Sequence, residues 1–510
     1  MFYALESPSP PNPAFLATLA TFAILVLGYW YFFLSAHSLP LVNGKQPLEF
    51  RLIHAKRRFL FDARALIRSG LDKWPAFEIA TENGYRVILG PQYANEVRSH
   101  QAVSFGRAVA HDFHAHIPGF EPFKEGTGAE QVLQDVIRMR LTQSLGPMTK
   151  PLSDETALAL ETNWGDDPEW HTVHFKTKIL DIVSQLSSKV FLGDQICRNP
   201  DWLRITVGYA VDSFFAAEAL RLWPAILRPF VAPFLPTSQE IRRKLAEARK
   251  IIAPVLEQRK AEKQAAIEQG RTPEAYNDAM EWMEQCAKGR TYDAAVAQLS
   301  LSLAAIHTTS DMLTQVLYDI CAQDGLVDDM RKEIVSVIQA EGWQKTTVYQ
   351  LKLMDSVLKE SQRLKPTTIA TMRRMAIKPM TLSDGTTVPK NAILFVSCES
   401  MWDASIYPSP DQFDPYRFLK LRDTPGHETS AQLVAPSPEH MGFGLGKHAC
   451  PGRFFAANEL KVALCHILLK YDIKFTDDWV NPPPLGMGLA FSAEPRATMQ
   501  IRRRKEEIKL

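Results

Sequence analysis

One ten-residue stretch constrains this chain more than any other: Phe443 to Gly452 reads Phe-Gly-Leu-Gly-Lys-His-Ala-Cys-Pro-Gly and runs directly into the helical pattern Arg453-Phe-Phe-Ala-Ala-Asn-Glu-Leu. Cys450 is its chemical centre. Gly444 and Gly446 permit a tight turn, and Gly452 removes a side chain where something large must approach the backbone. The sulfur is thereby presented, not packed away. A helix starting just after Cys450 aims free N–H groups and its positive dipole end at the sulfur, which favours thiolate over thiol. A thiolate is the form that binds metal.

No second cysteine lies close enough for a zinc or iron–sulfur site, and there is no C-x-x-C-H for covalent heme attachment. The six cysteines, at 197, 286, 321, 398, 450 and 465, are scattered without spacing, which fits a reducing compartment. One exposed thiolate as the sole protein ligand suits the axial position of a heme. Here the chain resembles a known family. Phe443, Gly446, His448, Cys450 and Gly452 match F-x-x-G-x-[Arg or His]-x-C-x-G, the heme-binding signature of the cytochrome P-450 monooxygenases. The resemblance implies Cys450 as the axial ligand of heme b. It also implies His448, where many members carry Arg, as a pH-sensitive contact to a heme propionate.

Two further motifs stand upstream in the family's order. Ala304-Ala-Ile-His-Thr-Thr, inside a long apolar helix over residues 294–323, resembles the oxygen-binding motif [Ala or Gly]-Gly-x-[Asp or Glu]-Thr-[Thr or Ser]. Thr308 matches, while Ala305 replaces Gly and His307 replaces the acid. A hydroxyl there bonds the carbonyl one turn back and delivers protons, so Thr308 and His307 are the catalytic candidates. The third stretch is a helix over residues 348–364 ending before Pro366, with Glu360 and Arg363 on one face. With Arg417 in Phe413-Asp-Pro-Tyr-Arg-Phe, the resemblance implies a buried, structural Glu360–Arg363–Arg417 triad beneath the heme. Arg374, and either Arg138 or Arg140, are the further propionate candidates. The short stretches 380–382 and 393–396 suggest a sheet beside the heme.

At 510 residues with 58 basic against 57 acidic side chains, the near-zero charge argues against a nucleic-acid surface. Ala14 to Leu34 is uncharged and long enough to cross a bilayer, with basic residues only after it. The expected layout is a membrane anchor over 1–38, a Pro-containing linker over 39–47 and a catalytic domain over 48–510. The fold class is mostly α with a smaller β region, the cytochrome P-450 fold, behind an N-terminal transmembrane helix.

Within the domain, Asn83-Gly84 predicts a hairpin over residues 77–89 and Gly90-Pro91 opens a helix. Residues 101–128 read as a loop whose His111, His114 and His116 match no common metal spacing. Helices are expected over 130–145, 153–163, 173–191, 201–221 and 239–269. Trp223 to Pro236 is apolar but too Pro-broken for helix, and is either a second bilayer contact or a buried connection. Leu485-Gly-Met-Gly-Leu is the final substrate loop. The bulky apolar residues Phe105, Phe113, Ile117, Phe120, Phe214, Phe215, Leu303, Ile306, Ile369, Met372 and Met487 are expected to meet substrate, with no Arg or Lys cluster to pair an anionic ligand.

The expected activity is oxidation by O2 of a hydrophobic terpenoid such as a diterpene, indole diterpene or meroterpenoid, in one step or several. The flavour of the motifs resembles fungal secondary-metabolite enzymes. No flavin or nicotinamide fingerprint is present, so electrons come from a separate NADPH-cytochrome P-450 reductase, with cytochrome b5 as a second donor. The expected place is the cytosolic face of the endoplasmic reticulum membrane. The alternatives are a heme-thiolate isomerase or dehydratase working without reductase, and a non-catalytic heme carrier or sensor.

Overall fold

The hairpin at Asn83-Gly84 is present, and a larger sheet grows from it. The structure is a computed structural model that describes residues 18, 21, 22, 24, 38–46, 49, 52–124 and 132–510. β1 (Leu41–Val42), β2 (Ala76–Thr81), β3 (Gly84–Leu89), β4 (Val103–Ser104), β5 (Ala370–Ala376) and β6 (Ile393–Ser397) form one sheet in the order β1-β2-β3-β6-β5-β4. Gly84 takes φ +91°, the left-handed region the turn demands. β1 pairs in parallel with Glu78 and Ile79, so Leu41 and Val42 of the expected linker belong to the folded domain. The sequence hides this because two residues carry no period.

The helical body packs against that sheet. It comprises α1 (Ile53–Leu71), α2 (Phe105–Asp112), α3 (Leu145–Trp164), α4 (Phe175–Leu192), α5 (Pro200–Arg221), α6 (Pro236–Glu268), α7 (Ala294–Cys321), α8 (Lys352–Leu364) and α9 (Arg453–Lys470). α7 starts where the Asp293 carboxylate accepts from the N–H groups of Ala295 and Val296, and Asn199 caps α5 before Pro200 in the same way. A second, three-stranded sheet joins His171–His174, Thr498–Arg503 and Tyr471–Phe475. Two hydrophobic clusters result: a large one among α3, α4, α7 and α9, and a smaller one between α1 and the main sheet.

Several expectations change here. The supposed loop over 101–128 contains α2, whose N-cap Ser104 accepts from the Arg107 N–H at 3.3 Å. The helix expected over 130–145 is a short turn, Val132–Asp135, running into a π-helical segment, Val136–Leu141. The helix expected over 348–364 breaks at Leu351 (φ −71°, ψ 75°), and α8 begins anew because the distant Glu333 carboxylate accepts from the N–H groups of Leu353 (2.6 Å) and Met354 (3.0 Å). The Pro-rich stretch forms three single helical turns, Ala225–Leu227, Arg228–Val231 and Ala232–Phe234, each with its proline where no N–H is needed or just before it. Leu222, Ile226, Phe230 and Phe234 stand exposed there, so this segment is not a buried connection.

The anchor expected over Ala14–Leu34 lies outside the described residues apart from 18, 21, 22 and 24. Among the described residues no helix is long and apolar enough to cross a membrane.

α9 carries a buried carboxyl that sets a pH dependence. Glu459 is fully buried, takes one hydrogen bond from the Ser187 hydroxyl of α4 at 2.7 Å, and has no partner for Oε2 among the described residues. Burial pushes its pKa up to about 8. The folded chain therefore keeps a proton that the unfolded chain sheds near its ordinary value of 4.5. The stability that Glu459 contributes is full below that value and is lost as pH rises toward about 8, at up to about 1.4 kcal/mol per pH unit. Urea unfolding at several pH values checks this: Glu459→Gln flattens the decline, and an unchanged decline in the variant refutes it.

Candidate functional site

The Cys450 loop folds as its glycines require. The Cys450 N–H donates to the Phe443 carbonyl at 2.8 Å, and the Ala449 N–H donates to Gly446 at 3.0 Å. Gly444 (φ +70°) and Gly446 (φ +73°) both sit in the left-handed region. A Cβ on Gly446 would also lie 2.5 Å from the Arg98 Cβ and 2.6 Å from the Arg98 carbonyl oxygen, so no other residue fits. A Cβ on Gly452 would meet nothing within 4 Å, which leaves open space beside the sulfur. Phe443 is half-buried and packs against the large core.

α9 begins at Arg453 as expected, and the N–H groups of Gly452 and Arg453 point at the Cys450 sulfur. The thiolate expectation nevertheless fails for the protein alone. Burial pushes the thiol up, and these two N–H groups with the Arg453 charge only partly oppose it. A cation at the sulfur is what would reverse the balance.

Around this loop the structure collects positive charge. Arg374, from β5, is 2% exposed; its Nη1 donates to the Arg373 carbonyl at 2.7 Å, while Nε and Nη2 have no partner among the described residues. Lost hydration pulls its pKa down to about 10. Arg374 is aimed by a bulge: the pairing of β5 with β6 shifts register between Thr371 and Arg374, and Met372 takes φ +55°. His448 lies beside Arg374, Lys447 and Arg138, and the Phe105 ring bridges them, with its centroid 5.8 Å from the Arg374 guanidinium and 6.2 Å from the His448 ring. Lost hydration first, then those cations, pulls His448 down to about 4. The protein's own groups thus favour the neutral ring. Of the two arginines left open, Arg138 is the one whose charge reaches His448. Lys447 went unnoticed in the sequence, although it stands next to His448.

On α7, every residue is buried or half-buried except Ala304 and Thr308, which are one turn apart and share one open face. Thr308 Oγ1 donates to the carbonyls of Ala304 (2.8 Å) and Ala305 (3.2 Å), the back-bonding expected of it. His307 is turned about 100° around the helix from Thr308 and does not share that face. Its Nε2–H donates to the Val207 carbonyl of α5 at 3.0 Å, and burial lowers its pKa. The structure thus gives His307 a tie between α7 and α5 in place of the expected relay position.

The Glu360–Arg363–Arg417 triad assembles as expected. Arg363 Nε and Nη2 lie 2.8 and 2.9 Å from the two Glu360 oxygens, and Arg417 Nε lies 3.0 Å from Oε1. Glu360 and Arg363 are fully buried, and Arg363 Nη1 donates to the Met401 carbonyl at 2.6 Å.

The expected substrate residues divide. Phe120, Ile306 and Ile369 are core, as are Ile117, Met372 and Phe113, the last stacked on Phe123. Phe105, Phe214, Phe215 and Met487 are exposed, and Leu303 is partly buried. Leu485–Met487 pairs with Ala490–Ser492 as a small hairpin. Arg86 of β3, Arg221 of α5 and Arg373 of β5 converge on Asp112 of α2, and the cluster is paired within the protein, Arg221 also with Glu218. Four residues so far apart in sequence give no local signal.

Comparison with known proteins gives the family. The cytochrome P450 family model matches residues 82–499. Cytochrome P450 monooxygenase adrA of Penicillium rubens is 53% identical over 92% of this chain and 92% of its own. Cytochrome P450 monooxygenase trt6 of Aspergillus terreus is 47% identical over 91% and 94%, and pyr3 of Aspergillus fumigatus 44% over 92% and 90%. Among solved structures, a retinoic-acid-bound cyanobacterial CYP120A1 shares the fold at a TM-score of 0.65 and 17% identity, covering 91% of this chain and 99% of that one. The chain belongs to the cytochrome P450 family and is a cytochrome P450 monooxygenase.

Proposed function

We propose that this monooxygenase oxidises unactivated C–H bonds of a large hydrophobic secondary metabolite, a terpenoid such as a diterpene, indole diterpene or meroterpenoid skeleton. The family implies heme and O2, and the residues present fit that group. Cys450 offers a sulfur that a cation would turn to thiolate, while the buried Arg374 has two orphaned donors that match carboxylate oxygens. That pairing of opposite charge demands in one site is the observation that carries the reading. Cys450 would hold the iron through its sulfur, and Arg374, His448 and Arg138 would hold the carboxylates of the group. Bound heme supplies the reductive activation of O2 and the transfer of one oxygen atom to substrate.

The remaining roles belong to side chains of this chain. Thr308 presents a hydroxyl on the open face of α7 and hands protons on from there, its O–H donating to the Ala304 and Ala305 carbonyls and its lone pairs left free to accept. Glu360, Arg363 and Arg417 lock α8 to the chain leading into the Cys450 loop and act structurally. Electrons arrive from an NADPH-dependent reductase. The uncharged stretch Ala14–Leu34 supports an anchor in the endoplasmic reticulum membrane with the domain on the cytosolic side. The exposed Leu222, Ile226, Phe230 and Phe234 support a second contact with the lipid surface. A lipophilic substrate partitions into that bilayer, and apolar burial at roughly 25 cal/mol per Å² drives its binding.

Cys450→Ala abolishes the thiolate-type Soret band of the reduced carbonyl complex, whereas Cys398→Ala and Cys465→Ala, both in the core, keep it. A retained band in the first variant refutes the ligand assignment. Thr308→Ala lowers the fraction of consumed O2 that appears in product by about tenfold and raises peroxide release, as loss of a positioned proton donor does; unchanged coupling removes Thr308 from the route. Arg363→Ala leaves the Glu360 charge buried with one partner fewer and costs roughly 3–5 kcal/mol of stability by denaturant unfolding, against a smaller loss for the less buried Arg417→Ala.

A further inference from the structure

One carboxylate of α7 holds a part of the chain far from it in sequence. Asp311 is buried, and its Oδ1 accepts from the Ser492 hydroxyl at 3.1 Å, from the Ala493 N–H at 2.8 Å and from Lys176 Nζ of α4 at 3.0 Å, while Oδ2 accepts from Gln315 at 2.7 Å. Lys176 grips the same two residues: its Nζ donates to Ser492 Oγ, and to the Ala493 carbonyl at 2.8 Å. Tyr318, two turns further along α7, donates to the Glu494 carbonyl at 3.3 Å. Two helices thus converge on one point of the C-terminal chain.

That point is the root of the small hairpin. Leu485 pairs with Ser492, Gly486 with Phe491 and Met487 with Ala490. Paired residues share a face and faces alternate along each strand, so Leu485, Met487, Ala490 and Ser492 stand on one side and Gly486 and Phe491 on the other. The second side is covered: Phe491 packs against the smaller hydrophobic cluster, and its ring lies 3.3 Å from a Cβ placed on Gly486. The first side is open, with Leu485 48% and Met487 63% exposed. Ser492 belongs to that open side and bonds Asp311, so the open side is turned toward α7.

Asp311 follows Thr308 by three residues, about 4.5 Å along the helix and about 60° around it. The apolar face of the hairpin therefore stands beside the open face of Ala304 and Thr308. Its outer strand leads to the Cys450 loop. The Phe491 N–H donates to the Thr367 carbonyl at 3.2 Å and the Ile369 N–H to the Leu489 carbonyl at 2.9 Å, and just beyond them Thr371 Oγ1 lies 3.9 Å from a Cβ placed on Gly444. The hairpin thus closes one side of the space between α7 and the Cys450 loop. So short a hairpin, with glycine at 486 and 488, does little to fix its own register, and a slip of one residue would turn Phe491 toward α7 and Leu485 and Met487 away.

We propose that Asp311, supported by Lys176, is the positioning residue that fixes this hairpin with Leu485 and Met487 facing the reacting side of α7, and so sets which part of a bulky apolar substrate meets Thr308. Asp311 acts through the hairpin and touches neither substrate nor cofactor. The inference goes beyond the terpenoid reading, since it holds for any large apolar ligand.

The test is spectral titration of the full-length holoenzyme with imidazole and with clotrimazole, both of which ligate ferric heme, the second carrying a bulky triaryl group away from the iron. Wild type, Asp311→Ala, Met487→Ala and the double variant are compared. Met487→Ala weakens clotrimazole about tenfold through lost apolar contact and leaves imidazole unchanged. Asp311→Ala does the same, Asp311→Asn, which keeps an acceptor for the Ala493 N–H, recovers part of the loss, and the double variant is within about twofold of Met487→Ala. A general loss of stability would move both azoles or neither. A clotrimazole-to-imidazole ratio unchanged in Asp311→Ala, or losses that add in the double variant, overturns the proposal. Hydrogen exchange reads the same grip without the heme: the amides of Gly488 to Ala493 exchange faster in Asp311→Ala, and unchanged exchange there overturns the proposal as well. Each variant is first checked for a wild-type reduced carbonyl spectrum, and Ser492→Ala, which removes a single side chain from the grip, replaces Asp311→Ala if that variant lacks it. Neither azole is a terpenoid, so failure of the terpenoid reading leaves these outcomes untouched.

Discussion

The structure turns on a conflict of charge around one loop. Folding places the Cys450 sulfur at the head of α9 and buries it enough that the thiol is favoured, despite two N–H groups aimed at it. The same folding buries Arg374 without partners for two donors and brings Lys447, Arg138 and His448 alongside. The sulfur calls for more positive charge than Arg453 supplies, and two donors of Arg374 call for anions that no described residue provides. A single ligand bearing a metal at its centre and carboxylates at its edge answers both demands. Loading then converts unfavourable burial into charge-assisted contacts, which couples cofactor binding to the stability of the loop, β5 and α9 together.

Rigidity on the other side of the site comes from α7. It runs through the large core with nearly all its surface covered, so the open pair Ala304 and Thr308 is a local exception produced by what the neighbouring helices leave uncovered. Small side chains and back-bonding keep that face low and the helix locally loosened. His307, one residue away, bonds α5 and so fixes the spacing of the two helices. A carboxylate in its place would be an acceptor facing the Val207 carbonyl, an arrangement that repels. The departure from the family's acid is thereby given a structural reason.

How much of this could be read from the sequence follows from the range of each interaction. The Cys450 loop, the back-bonding of Thr308, the start of α9 and the pair Glu360–Arg363 depend on residues within a turn or two of one another, and all were legible. α2 was missed although its signal, Ser104 before a helical stretch, was present. The restart of α8 was not legible, because its cap is Glu333, and neither was β1, two residues added to a sheet by parallel pairing. The direction of the shifts at Cys450 and His448 also escaped. Local arguments from dipoles and ordinary pKa values omit burial, and in both residues burial is the largest influence.

The cluster at Asp112 is the extreme of that rule, since Arg86, Asp112, Arg221 and Arg373 come from two strands and two helices. Each member is placed by a different element, so the contacts around Asp112 form only once β3, β5, α2 and α5 have all docked, and no window of the sequence could show them.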